Sequence, residues 1–217
     1  MTSVTFKAFP ETPFYMTLVE FGTPAGGEAF WDVITTILSK LPSLSDQGIS
    51  GYPQIAAGIV YPGLNITTLI DGFNAPFLLP GLHPSNTSTS LETTITELIN
   101  DAVAPYPGQF LVNITSFSFP DFWTWYQLTN GPKTAGIDEM IGSRLIDKKA
   151  LTGNLTALRE AFKTATPPGS ATSAYLVSGK GVFDAKPRGG SNAVNPAWRK
   201  AYVHSGVSCY LLHSLIA

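Results

Sequence analysis

The stretch Ser191-Asn-Ala-Val-Asn-Pro-Ala-Trp-Arg-Lys-Ala-Tyr-Val-His204 decides the fold class, because it leads into a long strand. The Asn195-Pro196 step breaks any helix, and proline is tolerated at the start of a strand because its missing N–H need not join the ladder. The run from Ala201 to Ile216 is dominated by residues that favour strands. No turn signal follows this run, so we expect a domain that is truncated at its C-terminus.

Further strands are predicted wherever Thr, Val, Ile, Phe and Tyr dominate, namely at 4–9, 14–21, 52–61, 64–70, 110–117 and 174–178. Tyr61-Pro62-Gly63-Leu64 is a turn signal and predicts a hairpin between two of these strands. Trp123 and Trp125 are two residues apart, which in a strand places both rings on one face. Core packing is favoured for this aromatic pair over a ligand platform.

Helical spacing of apolar residues predicts three helices, at 26–41, 90–104 and 154–163. Pro42 and Pro105 are expected to end the first two. Thr89 and Glu92 have the spacing of a capping box. Strands outnumber helices and hairpin connections are plausible, so the sequence predicts an α+β fold, a mainly antiparallel sheet with helices packed on one face.

Composition excludes several classes of protein. The formal net charge of −2 argues against a nucleic-acid partner, which would require clustered Lys and Arg. The charged fraction is 13%, about half the usual ~25%, which indicates a core-rich globular chain. No apolar run reaches ~18 residues, so no membrane-spanning helix is expected. The N-terminus lacks the basic and apolar regions of a signal peptide.

Cysteine content and glycosylation sequons indicate different cellular compartments. The chain has one cysteine, Cys209, so an internal disulfide is impossible and a reducing compartment is suggested. Four Asn-x-Ser/Thr sequons instead predict a secreted glycoprotein that carries glycans at Asn65, Asn86, Asn113 and Asn154. The alternative is that these sequons are unused.

Several catalytic signatures are absent from the sequence. There is no Gly-x-Ser-x-Gly elbow, no complete dinucleotide-binding glycine motif and no His-Glu-x-x-His metal motif. His204, Cys209 and His213 are close in sequence, but on a strand His204 and Cys209 point to opposite faces. No metal site is therefore expected.

Longer blocks of sequence resemble the fungal-type FAD-linked oxidases related to berberine bridge enzyme. The Asn195–Arg199 block is the most specific of them. The blocks that carry the resemblance are 4–10, Phe30-Trp31, Gly51-Tyr52-Pro53, 142–146, 149–152 and 186–199.

The resemblance implies an enzyme with two lobes. An N-terminal lobe binds FAD, and an α+β substrate lobe covers the isoalloxazine ring with its antiparallel sheet. Residues 1–10 then correspond to the strand that leaves the flavin lobe, and residues 11–217 to the substrate-binding domain. No residues that bind FAD are found in this chain, so the partner expected for it is a missing flavin-binding lobe, and the chain is expected to be an inactive fragment.

The resemblance also implies the chemistry. The flavin takes a hydride from a small organic substrate and passes electrons to oxygen, while the protein positions the substrate. If Tyr202 and His204 share a strand face, they offer polar groups to the substrate, and Tyr52 and Gln54 form a second such pair. Alternatively, Tyr202 and His204 are interior residues with structural roles. No catalytic base is assigned.

Two other classes of function stay open. A non-enzymatic secreted glycoprotein or small-molecule binding module could be built on the same sheet. A hydrolase is disfavoured because nucleophile motifs are missing.

Overall fold

An antiparallel sheet organises the chain. The computed structural model describes residues 11–61, 66–131, 139–186, 190 and 194–210. Within these residues eight strands pair in the order β5-β1-β4-β3-β7-β8-β6, with the short β2 beside β4. The strands are β1 Phe14–Pro24, β2 Ser50–Gly51, β3 Gln54–Tyr61, β4 Ile66–Pro80, β5 Leu111–Phe119, β6 Glu139–Asp147, β7 Ser170–Tyr175 and β8 Ala201–Tyr210.

Helices connect the strands. They are α1 Glu28–Asp46, α2 Ser88–Val103, α3 Phe122–Thr129, α4 Lys148–Thr152, α5 Leu155–Ala165 and α6 Lys180–Phe183, with a 3₁₀ turn at Pro196–Arg199. The main core lies between one face of the sheet and the apolar sides of α1, α2 and α5. This arrangement confirms the predicted α+β class with an antiparallel sheet.

Strand alternation supplies the sheet's half of this core. Val19 and Phe21 of β1 and Phe73 and Phe77 of β4 all point at the helices and are buried. Each fully buried side chain of this size stabilises the fold by about 2 kcal/mol. The face of the sheet that points away from α1, α2 and α5 is called the open face below.

The first helix is longer than predicted. Pro42 was expected to end it, but α1 continues to Asp46 with Pro42 inside. The turn that follows the proline carries Leu44 and Ser45, and both are buried. We infer that packing of this last turn outweighs the cost of the proline, which removes one helical hydrogen bond.

Two further local predictions were wrong. The capping box of α2 is formed by Thr87 and Ser90, not by Thr89 and Glu92. Trp123 and Trp125 lie on a helix, so their spacing of two residues places them on opposite sides: Trp125 is 6% exposed and Trp123 is 60% exposed.

The predicted hairpin pairing is confirmed, since β3 and β4 are antiparallel neighbours. The strand β4 extends ten residues beyond the predicted end at Ile70, to Pro80. The turn at 62–65, the predicted strand at 4–9 and the end of the last predicted strand at 211–216 lie outside the described residues.

A buried carboxylate fixes an irregularity between β3 and β4. Asp71 is 3% exposed, and its two carboxylate oxygens accept hydrogen bonds of 2.8 Å from the backbone N–H groups of Gly26 and Gly58. The register between β3 and β4 shifts at this point, and Gly58 has a φ of 59°, a conformation that favours glycine. Asp71 therefore ties a β-bulge to the loop that precedes α1.

An exposed ion-pair network joins α1 to α5. Arg159 pairs with Asp32 and Glu28 on α1, and Lys163 also pairs with Glu28. The Tyr106 hydroxyl donates to Asp32 at 2.9 Å, and this hydrogen bond raises the pKa of Tyr106. Hydrogen bonds from Lys163 and then from Arg159 lower the pKa of Glu28 from 4.5 to about 2.

Asp71→Asn is expected to lower the free energy of unfolding by about 2 kcal/mol, because one of two backbone donors loses a charged acceptor in a buried site. Urea denaturation measures the loss. Asp101→Asn, exposed on α2, is the matched control and should change stability by less than about 0.5 kcal/mol. Equal effects of the two substitutions would contradict the structural role of Asp71.

The low pKa of Glu28 predicts a pH-dependent contribution to stability. This contribution is fully present above pH 4.5 and is lost as pH falls through about 2. The difference in unfolding free energy between the wild type and Glu28→Gln should therefore shrink over this range, as measured by denaturation at a series of pH values. A Glu28→Gln difference that stays constant over this pH range would refute the coupling.

Candidate functional site

The open face carries a row of polar residues across the sheet. Glu20 of β1 lies opposite Asn74 of β4 on one side and Asn113 of β5 on the other. The same row continues through Gln54 of β3 to Ser173 of β7. Directly opposite residues on neighbouring strands share a face, so these five side chains line one band, called the polar row.

Hydrogen bonds fix the side chains at the two ends of the polar row. The side-chain amides of Asn74 and Asn113 each donate to one carboxylate oxygen of Glu20, both at 3.2 Å. The Ser173 hydroxyl accepts from the backbone N–H of Gly206 at 3.0 Å and donates to its carbonyl at 3.1 Å. Gln54 lies between these two groups and is exposed.

An aromatic row runs beside the polar row. Tyr52 and Tyr175 make an edge-to-face contact with ring centroids 5.4 Å apart. Tyr175 lies opposite His204, whose ring centroid is 5.5 Å from that of Trp198. These four residues are called the aromatic row. Their rings offer flat apolar surface together with hydroxyl and imidazole groups.

Small residues on the other side of the polar row create a cleft. Gly22 and Gly72 lie opposite each other, and Ala56 follows on the next strand. Because these positions carry no larger side chains, the open face forms a cleft of about 610 Å³ here. Its lining comprises Glu20, Phe21, Gly22, Thr23, Pro24, Thr68, Ile70, Gly72, Phe73, Asn74, Leu111 and Asn113.

Helix α3 covers one corner of the open face. Trp125 packs with Phe14, Met16 and Leu78 in a cluster separate from the main core, and its indole N–H donates to the sulfur of Met16 at 3.4 Å. Glu20, further along the same face of β1, lies outside this cluster and is exposed.

The structure brings together three of the four predicted substrate-binding residues. Tyr52, Gln54 and His204 all lie on the open face. Tyr202 does not share their face: its hydroxyl donates to Asp46 of α1 at 2.9 Å, and its ring packs against Phe183.

A register shift explains the position of Tyr202. Ile146 pairs with Val203 but Asp147 pairs with Ala201, so Tyr202 is an extra residue in β8. Its side chain therefore joins the main core. Burial, followed by the hydrogen bond to Asp46, raises the pKa of Tyr202.

Sequence reasoning did not identify Glu20, Asn74, Asn113 and Tyr175 as ligand-binding residues, and it named Asn113 only as a glycosylation sequon. One signal was present: Glu20 is a charged residue within a predicted strand, two positions from Leu18 on the same face. The partners of Glu20 could not be found without the register, because Asn74 and Asn113 are distant in sequence.

The sequons differ in their surroundings. Asn154 caps α5 through its side-chain oxygen, which accepts from Ala157 N–H at 2.9 Å, and it is exposed. The Asn86 amide donates to the carbonyl of Pro80 at 2.9 Å. Asn113 bonds Glu20 and lines the cleft. Asn65 lies outside the described residues.

The described residues form no helix that is long and apolar enough to cross a membrane. No group of three or more His, Cys, Asp or Glu residues in this part of the chain is arranged to hold a metal ion.

No protein-family model matches the chain. It is 27% identical over 221 residues to an uncharacterized FAD-linked oxidoreductase of Arthroderma benhamiae, covering 96% of this chain and 35% of that protein. It is 28% identical over 210 residues to the FAD-linked oxidoreductase apf9 of Gibberella fujikuroi, covering 93% of this chain and 34% of that protein. The chain thus spans about a third of the length of these curated relatives.

Solved structures agree on the fold. The VAO-type flavoprotein MtVAO713 of Myceliophthora thermophila superposes with a TM-score of 0.75 at 25% identity, covering 94% of this chain and 35% of that one. A variant of berberine bridge enzyme superposes at 0.50 with 12% identity, covering 93% and 36%. The predicted resemblance is confirmed: the homologues are FAD-linked oxidoreductases, and FAD is the cofactor named for them.

Glycosylation is expected at Asn154 and not at Asn113 when the chain passes through a secretory pathway. The Asn154 side chain is exposed and uses its oxygen to cap α5, whereas the amide nitrogen of Asn113 donates to Glu20 within the cleft. Site-resolved mass spectrometry after expression in a glycosylating host tests this. Asn154→Gln should remove one glycan, and full occupancy at Asn113 would contradict the expectation.

Proposed function

We propose that this chain is the substrate-binding part of an FAD-dependent oxidoreductase. In this proposal the open face of its sheet lies over a flavin held by another part of a longer protein. The observation that supports it best is the asymmetry of the sheet: α1, α2 and α5 cover one face, while the other presents the polar and aromatic rows. The homology to FAD-linked oxidoreductases three times as long supports the same assignment.

The open face suits the role of a cover better than that of a flavin-binding site. The hydrogen-bond donors on this face are side chains on separate strands, including Gln54 and Ser173. A phosphate-binding glycine loop was not found in the sequence, so the dinucleotide portion would be bound elsewhere. When bound, the flavin would supply the hydride-accepting chemistry, with oxygen as the electron acceptor.

The substrate would lie between the open face and the flavin. Tyr52, Gln54 and His204 would bind its polar groups, and Tyr175 would support the rings on either side of it. Tyr202 contributes indirectly, because its bond to Asp46 anchors the strand that carries His204 to α1. A proton acceptor must lie within hydrogen-bond distance of the reacting group, and His204 has the chemistry for this.

The proposed domain assignment follows from this function. Residues 11–217 would form the substrate-binding domain, and residues 1–10 would lead from the flavin-binding region. Secretion as a glycoprotein is part of the same proposal. Exposed Asn154 is compatible with glycosylation.

A small-molecule binding module is the second candidate. The cleft of about 610 Å³ favours it, because this chain alone supplies all of the lining. The two candidates differ in their relation to flavin: the module needs none, whereas the oxidoreductase depends on it.

A chimera separates these candidates. The matched third of the Arthroderma benhamiae relative is replaced by this chain, and flavin content is measured by visible absorbance after purification. The oxidoreductase proposal expects a yellow protein with about one flavin per chain, as in the parent. A folded chimera without flavin, beside a flavin-loaded parent, would count against it and favour the binding module.

In the flavin-loaded chimera, Gln54→Leu should shift the visible bands of the bound flavin by a few nanometres, because those bands respond to hydrogen bonding and polarity at the ring. Gln109→Leu is the matched control, since Gln109 is exposed in the turn after α2. The proposal that the open face covers the ring fails if both variants keep the spectrum of the unsubstituted chimera.

A further inference from the structure

We propose that the cleft beside Glu20 is a binding site for a small organic cation, a protonated amine attached to an apolar body. The site lies on β1, β4 and β5 and includes none of the residues of the aromatic row. It does not rest on the proposed function, because the cleft is formed by this chain and its occupancy is measured without flavin.

The carboxylate of Glu20 is held ready for a ligand. Each of its oxygens accepts one amide hydrogen bond, from Asn74 and Asn113 respectively. A carboxylate offers about four acceptor positions, so each oxygen retains capacity for a further donor. The two amides lie on opposite neighbouring strands, and they therefore restrain the carboxylate from both sides.

The charge of Glu20 is not neutralised by its neighbours. The ion pairs of the described residues involve Lys148, Arg159 and Lys163, and Glu20 takes part in none of them. Both of its hydrogen-bond partners are neutral amides. A charge-assisted hydrogen bond to an ammonium group is about twice as strong as a neutral one, so a cation is the ligand that this carboxylate favours.

The adjoining surface accepts an apolar group. Gly22 and Gly72 form the floor of the cleft, and Ile70, Pro24 and Leu111 are among the residues that line it. Leu111 is 81% exposed, so its side chain is available to contact a ligand. A ring or alkyl chain placed there would remove apolar surface of both partners from water.

The cleft adjoins Gln54 and is distant from His204: Asn74, which lines the cleft, lies directly opposite Gln54 of β3. Glu20 lies on β1 and His204 on β8, four strand spacings away in the sheet order. At about 4.8 Å for each spacing, this separation is roughly 19 Å across the sheet. The cleft is therefore distinct from the His204 end of the aromatic row, and its own carboxylate and apolar lining set which ligand it takes.

Two probes of similar shape test the charge requirement. Phenethylammonium chloride and neutral phenethyl alcohol are titrated into the purified protein that carries this chain, with calorimetry or ligand-observed NMR as the readout. We expect phenethylammonium to bind about tenfold more tightly than the alcohol, and to weaken as salt is added.

Glu20→Gln should abolish the preference for phenethylammonium, because it removes the charge with little change in shape. Glu97→Gln removes the same charge from the exposed surface of α2 and should leave both affinities unchanged. Gly22→Val fills the floor and should weaken both probes alike. Gly22→Ala keeps the fold intact as a milder version, since its new Cβ would lie 3.5 Å from the Ile70 side chain, an ordinary contact.

Three results would overturn the proposal: no saturable binding of phenethylammonium, equal binding of the two probes, or an unchanged preference in Glu20→Gln. Flavin content enters none of the readouts, so failure here leaves the oxidoreductase proposal standing, and loss of flavin in the chimera leaves this one standing.

Discussion

The pairing register of β1 with its two neighbours determines what each face of the sheet can do. Val19 and Phe21 point at the helices, so Leu18 and Glu20 must point the other way. A slip of one residue would place Glu20 in the main core and Phe21 on the open face, at a cost that a marginally stable fold cannot absorb. Core packing therefore also positions the polar row, although no residue of that row contributes to the core.

Two irregularities modify this alternation, and each is fixed by a carboxylate. Asp71 binds the backbone at the bulge in β3, and Asp46 binds the hydroxyl of Tyr202 at the bulge in β8. Each bulge re-aims the strand that carries it without breaking the sheet. The second has the larger consequence for the candidate site, because it removes Tyr202 from the open face and leaves His204 there beside Trp198.

Much of the fold could be predicted from the sequence, because strand composition and helical spacing are local signals. The α+β class, the β3–β4 pairing and the three longest helices were all recognised in this way. The continuation of α1 through Pro42 was not, since it depends on burial of Leu44 by distant residues. The aromatic segment of α3 was misassigned because eight residues are too few to establish a helical period, and Trp125 packs against strands far away in sequence.

The candidate site was harder to predict than the fold. Alternation along single strands, a local property, paired Tyr52 with Gln54 and Tyr202 with His204. The first pair lies on the open face, whereas the bulge in β8 separates the second. Glu20 is recognisable as a site residue only beside Asn74 and Asn113, and the pairing register of the strands is what places these two residues next to it. The same register places two chemically different surfaces on the open face. The aromatic row offers flat rings and an imidazole, while the cleft offers a fixed negative charge beside apolar surface. Glu20 and His204 are roughly 19 Å apart across the sheet, so a small ligand cannot contact both groups, and charge favours the cleft for a cation.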